Sequence, residues 1–408
     1  MRRTERLTRR WLVLWAGACL LLAALLAGTT AEAAPRIGVL TMQPGEVFFE
    51  RFGHNAILVE PADGSEAISY NFGFFDPEEP DFVPRFIAGT MRYRLVALPL
   101  SRDLAHYRAS GRGVSVQWLD LDAAEANTLA AMLAINARPE NAVYDYHYFT
   151  DNCSTRVRDA IDAATGGLLR RQLTVSSQGI SHRMEAVRLA LPAPWMALGF
   201  HLGLSAKADR PLSRWDESFI PMRLADALDN VRRADGRPLV AAQEELLPHR
   251  LALPPNEYPL LRIEAILLGI ALAIGLLWLG HRAPRALAAS AGLFWLFAGV
   301  AGATLLFLWF GSGHHFAHAN ENLFLLSPLA LLLLPGAWRA LRGRDPGRLF
   351  EIVLMLVLVS AALGAFLKLM PFMRQENVEW VFLLLPVHWA LARHFRQRRL
   401  AGAQRAER

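Results

Sequence analysis

Cys153 stands in the run Asp151-Asn152-Cys153-Ser154-Thr155, and Val157, Ile161 and Leu168 follow at roughly helical spacing. Asp151 and Asn152 are natural N-caps, so the pattern predicts a helix whose first turn carries the thiol. A helix N-terminus favours an anion through its dipole and free N–H groups, and the thiolate is the nucleophilic form of cysteine. A neighbouring imidazole would lower the thiol pKa further and act as acid and base. His54 is the leading partner: it follows Gly53 and opens an apolar, β-branched run ahead of a hairpin. His106 and His147 compete with it, although His147 lies among Tyr144, Tyr146 and Tyr148, a pattern that also suits a packed aromatic wall. A polar residue on the adjacent strand would orient the ring, and Asn71 is the natural choice. The result is a Cys-His-Asn trio suited to nucleophilic acyl chemistry. Each member also has an unreactive reading: a small buried hydrophobe, a structural strand-start histidine, and a hairpin asparagine.

The elements that must position these residues read as α+β. Residues 54–60 and 67–75 flank the turn Pro61-Ala62-Asp63-Gly64 and predict an antiparallel hairpin. Residues 93–98 and 114–121 read as further strands, and 123–137 as a helix rich in Ala and Leu. Residues 185–191 and 221–231 read as helices, the second with Pro221 at its start. Residues 240–257, with Pro248, Pro254 and Pro255, read as a descent toward a membrane. The expectation is a small antiparallel sheet with a helix carrying the cysteine.

The membrane itself is written in the composition. Of 408 residues, 53% are hydrophobic, and the excess sits in residues 11–28 and after Tyr258. The start MRRTERLTRR, the apolar run behind it and Ala31-Glu32-Ala33 resemble a signal peptide or signal anchor over 1–34. Five later runs, 260–280, 286–310, 323–338, 349–372 and 378–392, approach or reach the length needed to cross about 30 Å of hydrocarbon. The third is interrupted by Pro328 and Pro335 and the fifth by Pro386. The expected organisation is an exported domain over 35–257, five spans over 258–394 and a basic cytoplasmic tail over 395–408.

Charge orients this layout. Residues 339–348 hold four Arg and the tail from Arg393 six, whereas 311–322 hold no Lys or Arg. The positive-inside rule then places the basic loops in the cytoplasm and 35–257, 311–322 and 373–377 outside. Residues 35–257 carry 23 Lys and Arg against 28 Asp and Glu, a net charge of 23 − 28 = −5. The basic excess flanks apolar spans instead of forming a patch on the domain, which excludes nucleic acid as a partner. Cys19 lies in the first apolar run, so Cys153 has no internal disulfide partner in the exported domain. An unpaired thiol in an oxidising compartment is a liability unless buried or used.

The segments RFGHNAILVE, SYNFGFFD, FVPRFIAGTMRYRL and YFTDNCSTRVRD resemble the exported domain of the Lnb-type lipoprotein N-acyltransferase family. That domain is similar to permuted papain-like folds of the NlpC and lecithin:retinol acyltransferase kind, in which the histidine strand precedes the cysteine helix. The resemblance implies that Cys153 is the nucleophile and His54 its partner; Asn71 as third member is inferred from hairpin geometry. It further implies a phospholipid donor, the α-amine of a lipidated N-terminal cysteine as acceptor, and no cofactor, in a multi-pass protein of the bacterial inner membrane with its globular domain in the periplasm. GHHFAHANENLFLLSPL, residues 313–329, is similar to a His- and Asn-rich segment ahead of a membrane helix in that family. There His314, His315, His318, Asn320 and Asn322 would bind a lipid headgroup or contact the domain above. Glu321 is the lone carboxylate nearby, so a metal is not expected. A cell-wall thiol peptidase or amidase and a non-catalytic envelope scaffold are the alternatives.

Overall fold

A computed structural model describes Trp15 and residues 34–175, 179–259 and 261–406. The expected signal segment, Trp15 apart, lies outside the described residues. The exported part is built on a seven-stranded antiparallel sheet of order β6-β4-β3-β2-β1-β5-β7. The strands are β1 Arg36–Met42, β2 His54–Glu60, β3 Ile68–Phe74, β4 Arg92–Pro99, β5 Val114–Leu119, β6 Val143–Asp145 and β7 Val240–Leu247. β2 lies at the centre between β1 and β3, with Val39 opposite Ile57 and Ile57 opposite Tyr70. Its apolar residues are therefore covered on both faces, which is why HNAILVE reads as a continuous run without alternation.

The sheet is larger than the sequence suggests. β1 is a central strand whose RIGVLTM follows the expected signal boundary. β7 corrects the reading of 240–257 as a simple descent. Its VAAQEELL exposes five consecutive residues at the sheet edge, so it lacks the alternation of a half-buried strand, and Glu244 and Glu245 protect that edge from pairing with another chain. Only after β7 do the prolines carry the chain toward the membrane part.

Helix Cys153–Ala164 packs its Val157 and Ile161, both fully buried, against β2 and β3. It ends before Leu168, because Gly166 and Gly167 adopt φ of +61° and +84°, a region that favours glycine. Leu168 opens the next helix, Leu168–Leu173. Helix Ala123–Asn136 begins with a capping box between Asp122 and Glu125.

Four helical stretches among the described residues are long and apolar enough to cross a membrane: Arg262–Arg282, Pro284–Phe310, Glu321–Leu341 and Arg348–Leu367. The fifth expected span lies within helix Val378–Ala406, which is not among them, since Glu379, His388, Arg393 and His394 dilute its apolar window. This helix continues through the basic segment expected to be a tail. It runs parallel to Arg262–Arg282: Arg262 pairs with Glu379 at 3.4 Å, Gly269 lies under the Phe382 carbonyl and Gly280 under the His394 ring. The third stretch is broken into 3₁₀ turns at Glu321–Phe324 and Pro328–Leu333 before helix Leu334–Leu341. Here Gly302 lets the Leu326 carbonyl approach within 2.1 Å of where a Cβ would stand, so irregular backbone is buried in protein at membrane depth.

Candidate active site

The Cys153 helix is fixed before its chemistry begins. Asn152 Oδ1 accepts from the Thr155 N–H at 3.0 Å, and Thr155 Oγ1 accepts from the Asn152 N–H at 2.8 Å. The Asn152 amide donates to the carbonyls of Tyr148 and Phe219, and Ser154 Oγ donates to the Ser218 carbonyl at 2.6 Å. Of the two expected caps, Asn152 is the cap and Asp151 ion-pairs with Arg156 at 2.6 Å. The first turn is thus tied into the domain from three directions, with the half-buried Cys153 side chain turned toward the start of β2.

The structure brings Cys153, His54 and Asn71 together. His54 Nε2 donates to Asn71 Oδ1 at 3.0 Å, which leaves Nδ1 for the thiol. Burial alone would push the thiol up and the imidazole down. The opposite charge and hydrogen bond that each supplies to the other outweigh it, so Cys153 lies below its ordinary value and His54 above its own. Backbone N–H groups of Asn55 and Ser154 add to the thiol's shift. Each side chain thus favours the charged form of the other, thiolate for Cys153 and imidazolium for His54.

Asn71 can turn only one way. Its Nδ2 donates to Asp103 Oδ2 at 2.8 Å, to Ser69 Oγ at 3.0 Å and to the Ser69 carbonyl at 3.3 Å, which points Oδ1 at the histidine. Ser69 Oγ also donates to Asp103. Asp103, 6% exposed, sits in the first turn of helix Leu100–Ser110. Sequence reasoning missed Asp103 and Ser69. The available signal was Ser69, two residues from Asn71 and hence on the same face of β3.

A β-bulge between Asn71 and Phe74 opens β3 beside the thiol. Gly73, at φ +90°, occupies the bulge, and a Cβ there would lie 3.6 Å from the Cys153 Cβ and 3.8 Å from the Tyr144 hydroxyl. That hydroxyl is buried and has no hydrogen-bond partner among the described residues. The Arg156 guanidinium lies 3.9 Å over the Tyr144 ring. Neither competing histidine joins the site: His106 is on helix Leu100–Ser110, against Tyr107, and His147 stacks on Tyr148 and His315. Burial, then the charges of His315 and Lys207, lower the His147 pKa to about 4.

Two family models match this chain: the Lnb N-terminal periplasmic domain over residues 29–190, and the Lnb transmembrane domain over residues 259–396. The chain belongs to the Lnb family. It is a membrane protein with a periplasmic domain, and the thiol site lies on that domain. No curated protein and no solved structure matches the chain.

In this Lnb protein the loop 311–322 lies against the periplasmic domain. The Gly313 N–H donates to the Ala88 carbonyl at 2.7 Å, and His314 Nε2 bonds the Phe86 carbonyl at 2.9 Å. His315 stacks on His147, and His318 bonds the Ser312 carbonyl. Asn320 and Asn322 are 2% and 0% exposed, and of the two roles expected for them the structure shows contact with the domain above. Asn320 Nδ2 donates to the carbonyls of Leu202 at 2.8 Å and Gly203 at 2.9 Å, and Asn322 Nδ2 to that of Leu202 at 3.0 Å. Their oxygens accept from the Gln375 and Asn377 amides. Both amides are spent on protein and leave nothing for a lipid. They fasten the end of helix Pro194–Gly203 to the membrane domain. Among the described residues no group of three His, Cys, Asp or Glu is arranged to hold a metal.

Proposed function

We propose that this protein is a cysteine-dependent acyltransferase of the bacterial envelope, moving an acyl chain from a phospholipid to an amine. The observation that carries the reading is the placement of Cys153 beside the Asn71-bonded His54 on a domain fastened by hydrogen bonds to the membrane part. The Cys153 thiolate attacks the ester carbonyl carbon of a phospholipid. The N–H groups of Asn55 and Ser154, which already face the sulfur, support the oxyanion together with the Tyr144 hydroxyl. The C–O bond breaks as His54 gives its proton to the glycerol oxygen, leaving a thioester on Cys153 and a lysophospholipid. An amine then attacks the thioester, and neutral His54 takes its proton. The amide departs as the thiolate returns beside the imidazolium.

The acceptor we favour is the α-amine of a lipidated N-terminal cysteine, which is itself held at the bilayer surface. The papain-like reading of the fold accords with the histidine strand preceding the cysteine helix and with the asparagine behind the ring. The fifth span accords with helix Val378–Ala406 running beside Arg262–Arg282 from the Arg262–Glu379 ion pair to Gly280 and His394. The membrane is the inner one, and the basic loops face the cytoplasm. N-terminal mass spectrometry of lipoproteins from cells with and without the protein tests the function. The amide-linked acyl chain on that α-amine should disappear with the protein and return with wild type but not with Cys153→Ala. Unchanged lipoprotein N-termini, with peptide cleavage products accumulating instead, would favour a thiol hydrolase.

A further inference from the structure

A continuous strip of aromatic rings leads from the thiol to the side of the domain that touches the membrane part. Tyr146 begins it, because its ring and Cys153 both lie within 3.9 Å of the position a Cβ on Gly73 would take. Tyr146 packs on Tyr93 at 4.2 Å between centroids, Tyr93 on Phe75 at 4.8 Å, and Phe75 on Phe49 at 4.7 Å and Phe82 at 5.3 Å. Phe49 meets Phe48 at 4.9 Å, and Phe48 stacks on Trp195 at 6.2 Å. Phe86 closes the strip against Phe48, Phe49 and Phe82.

The inner rings border the core, where Tyr93 is 6% exposed, but three observations set the strip apart from ordinary core packing. At its outer end Trp195 is 67% exposed and Phe49 40%, and Val83 and Ile87 on helix Phe82–Ala88 and Leu198 on helix Pro194–Gly203 are also exposed. Such a contiguous uncovered apolar face marks a binding surface. Both helices that carry its outer end are tied to the membrane domain. Helix Phe82–Ala88 is bonded through Phe86 and Ala88 to His314 and Gly313. Helix Pro194–Gly203 is bonded through Leu202 and Gly203 to Asn320 and Asn322. The inner end stops at the one free cysteine among the described residues.

Resting on the proposed acyl transfer, we propose that this strip is the track for the donor's acyl chain, entered beside Trp195 and Phe48 at the bilayer surface and ending with the ester carbonyl at Cys153. The occupant is a hydrocarbon chain of a membrane lipid, because the strip is apolar along its length, begins at the membrane junction and ends at a nucleophile. A protein partner would cover the strip from outside without needing its inner half. The chain is held without a covalent step, so binding is separable from turnover.

The test uses full-length Cys153→Ala protein in phosphatidylethanolamine–phosphatidylglycerol vesicles doped with a phospholipid bearing a diazirine near the end of one chain. After irradiation, adducts are expected on peptides holding Phe48 and Phe49, Phe82 and Phe86, or Trp195. Adding Phe49→Ser and Trp195→Ser should reduce these about tenfold, the loss expected from removing a few methylene-sized contacts, while adducts on the membrane helices persist. Trp195→Ser alone, at the most exposed ring, guards against a folding defect and should give a partial loss with an unchanged thermal transition. Adducts confined to the membrane helices, or domain adducts equal in all variants, overturn the track. Strip adducts in a protein whose wild-type Cys153 never gains a lipid-derived acyl group would leave the track standing and remove the transferase. An acyl-Cys153 without strip adducts would do the reverse.

Discussion

Two buried amide networks in this protein use the same side chains to opposite ends. Around His54, an asparagine is held by a carboxylate and a serine, and the chain of hydrogen bonds runs outward to the Cys153 thiol, beside which the Gly73 bulge leaves room. At the junction, Asn320 and Asn322 meet Gln375, Asn377 and the carbonyls of Leu202 and Gly203, and both asparagines bond only to protein, although Asn377 Oδ1 is buried without a hydrogen-bond partner among the described residues. Reactivity therefore does not come from asparagine or histidine content. It comes from an open end. The open network also sits on the rigid centre of a sheet, whereas the closed one spans a seam between two bodies, where unsatisfied carbonyls would let the seam part.

The comparison is broken most severely at the open end itself. Cys153→Ala should abolish acyl-enzyme and lower transfer by about 1000-fold or more, read as the acyl adduct by intact-protein mass spectrometry. His54→Ala should lower transfer by about 100-fold or more and slow alkylation of Cys153 by iodoacetamide at neutral pH. The sign follows from the pair. A thiol with a depressed pKa is already thiolate below its ordinary value, so alkylation in wild type should titrate in at lower pH than in His54→Ala. Transfer should fall again at high pH, as His54, raised above its ordinary 6.5, loses the proton it must give to the leaving oxygen. Coincident alkylation profiles would show that the two side chains act independently.

At the closed network the effect should be of another kind. Asn320→Ala with Asn322→Ala leaves buried carbonyls at the end of helix Pro194–Gly203 without donors, at a cost of about 1–3 kcal/mol for each group stranded. Hydrogen exchange over residues 196–205 should rise, and lipid-derived acylation and thermal stability should fall together. Preserved stability with lost acylation would return these residues to lipid binding. Asp103→Asn should be milder. It frees Asn71 to rotate, and transfer should drop about tenfold while iodoacetamide still reaches the thiol. Smallest is Tyr144→Phe, about tenfold or less in transfer and so below the loss of about 100-fold or more for a principal oxyanion donor, since the Asn55 and Ser154 N–H groups remain, with alkylation unchanged because displacement at iodoacetamide develops no oxyanion.

How much of this was readable in sequence differs between the two networks for a physical reason. Cys153, His54 and Asn71 sit on elements that announce themselves: a capped helix start, a buried strand after a glycine, a hairpin. Asp103 does not, because its partner lies 32 residues away and helix Leu100–Ser110 follows β4 with no more warning than Pro99. Asn320 and Asn322 were visible as polar residues beside a membrane span, but whether such amides meet lipid or backbone depends on Leu202 and Gly203, more than a hundred positions earlier. β1 went unread because it adjoins the apolar signal region, and β7 because an exposed edge strand with two glutamates carries no hydrophobic period. The bulge at Gly73, which makes room at the thiol, is a single glycine in an otherwise ordinary strand.

The end of helix Pro194–Gly203 is gripped from both sides. Arg183, 1% exposed, donates from the periplasmic domain to the His201 carbonyl at 2.6 Å and the Leu204 carbonyl at 2.7 Å, while the asparagines reach the same turn from the membrane side. Arg183 is itself anchored to Asp209, which accepts the Glu376 N–H at 3.0 Å. With that turn clamped, the structure offers no hinge there for the domain to rock on, which would hold the sulfur at one altitude over the bilayer. Under the proposed transfer, encounter would be planar: donor and acceptor would arrive by lateral diffusion to a stationary height, so the rate should follow the number of molecules per unit of membrane area and be indifferent to dilution of the surrounding water.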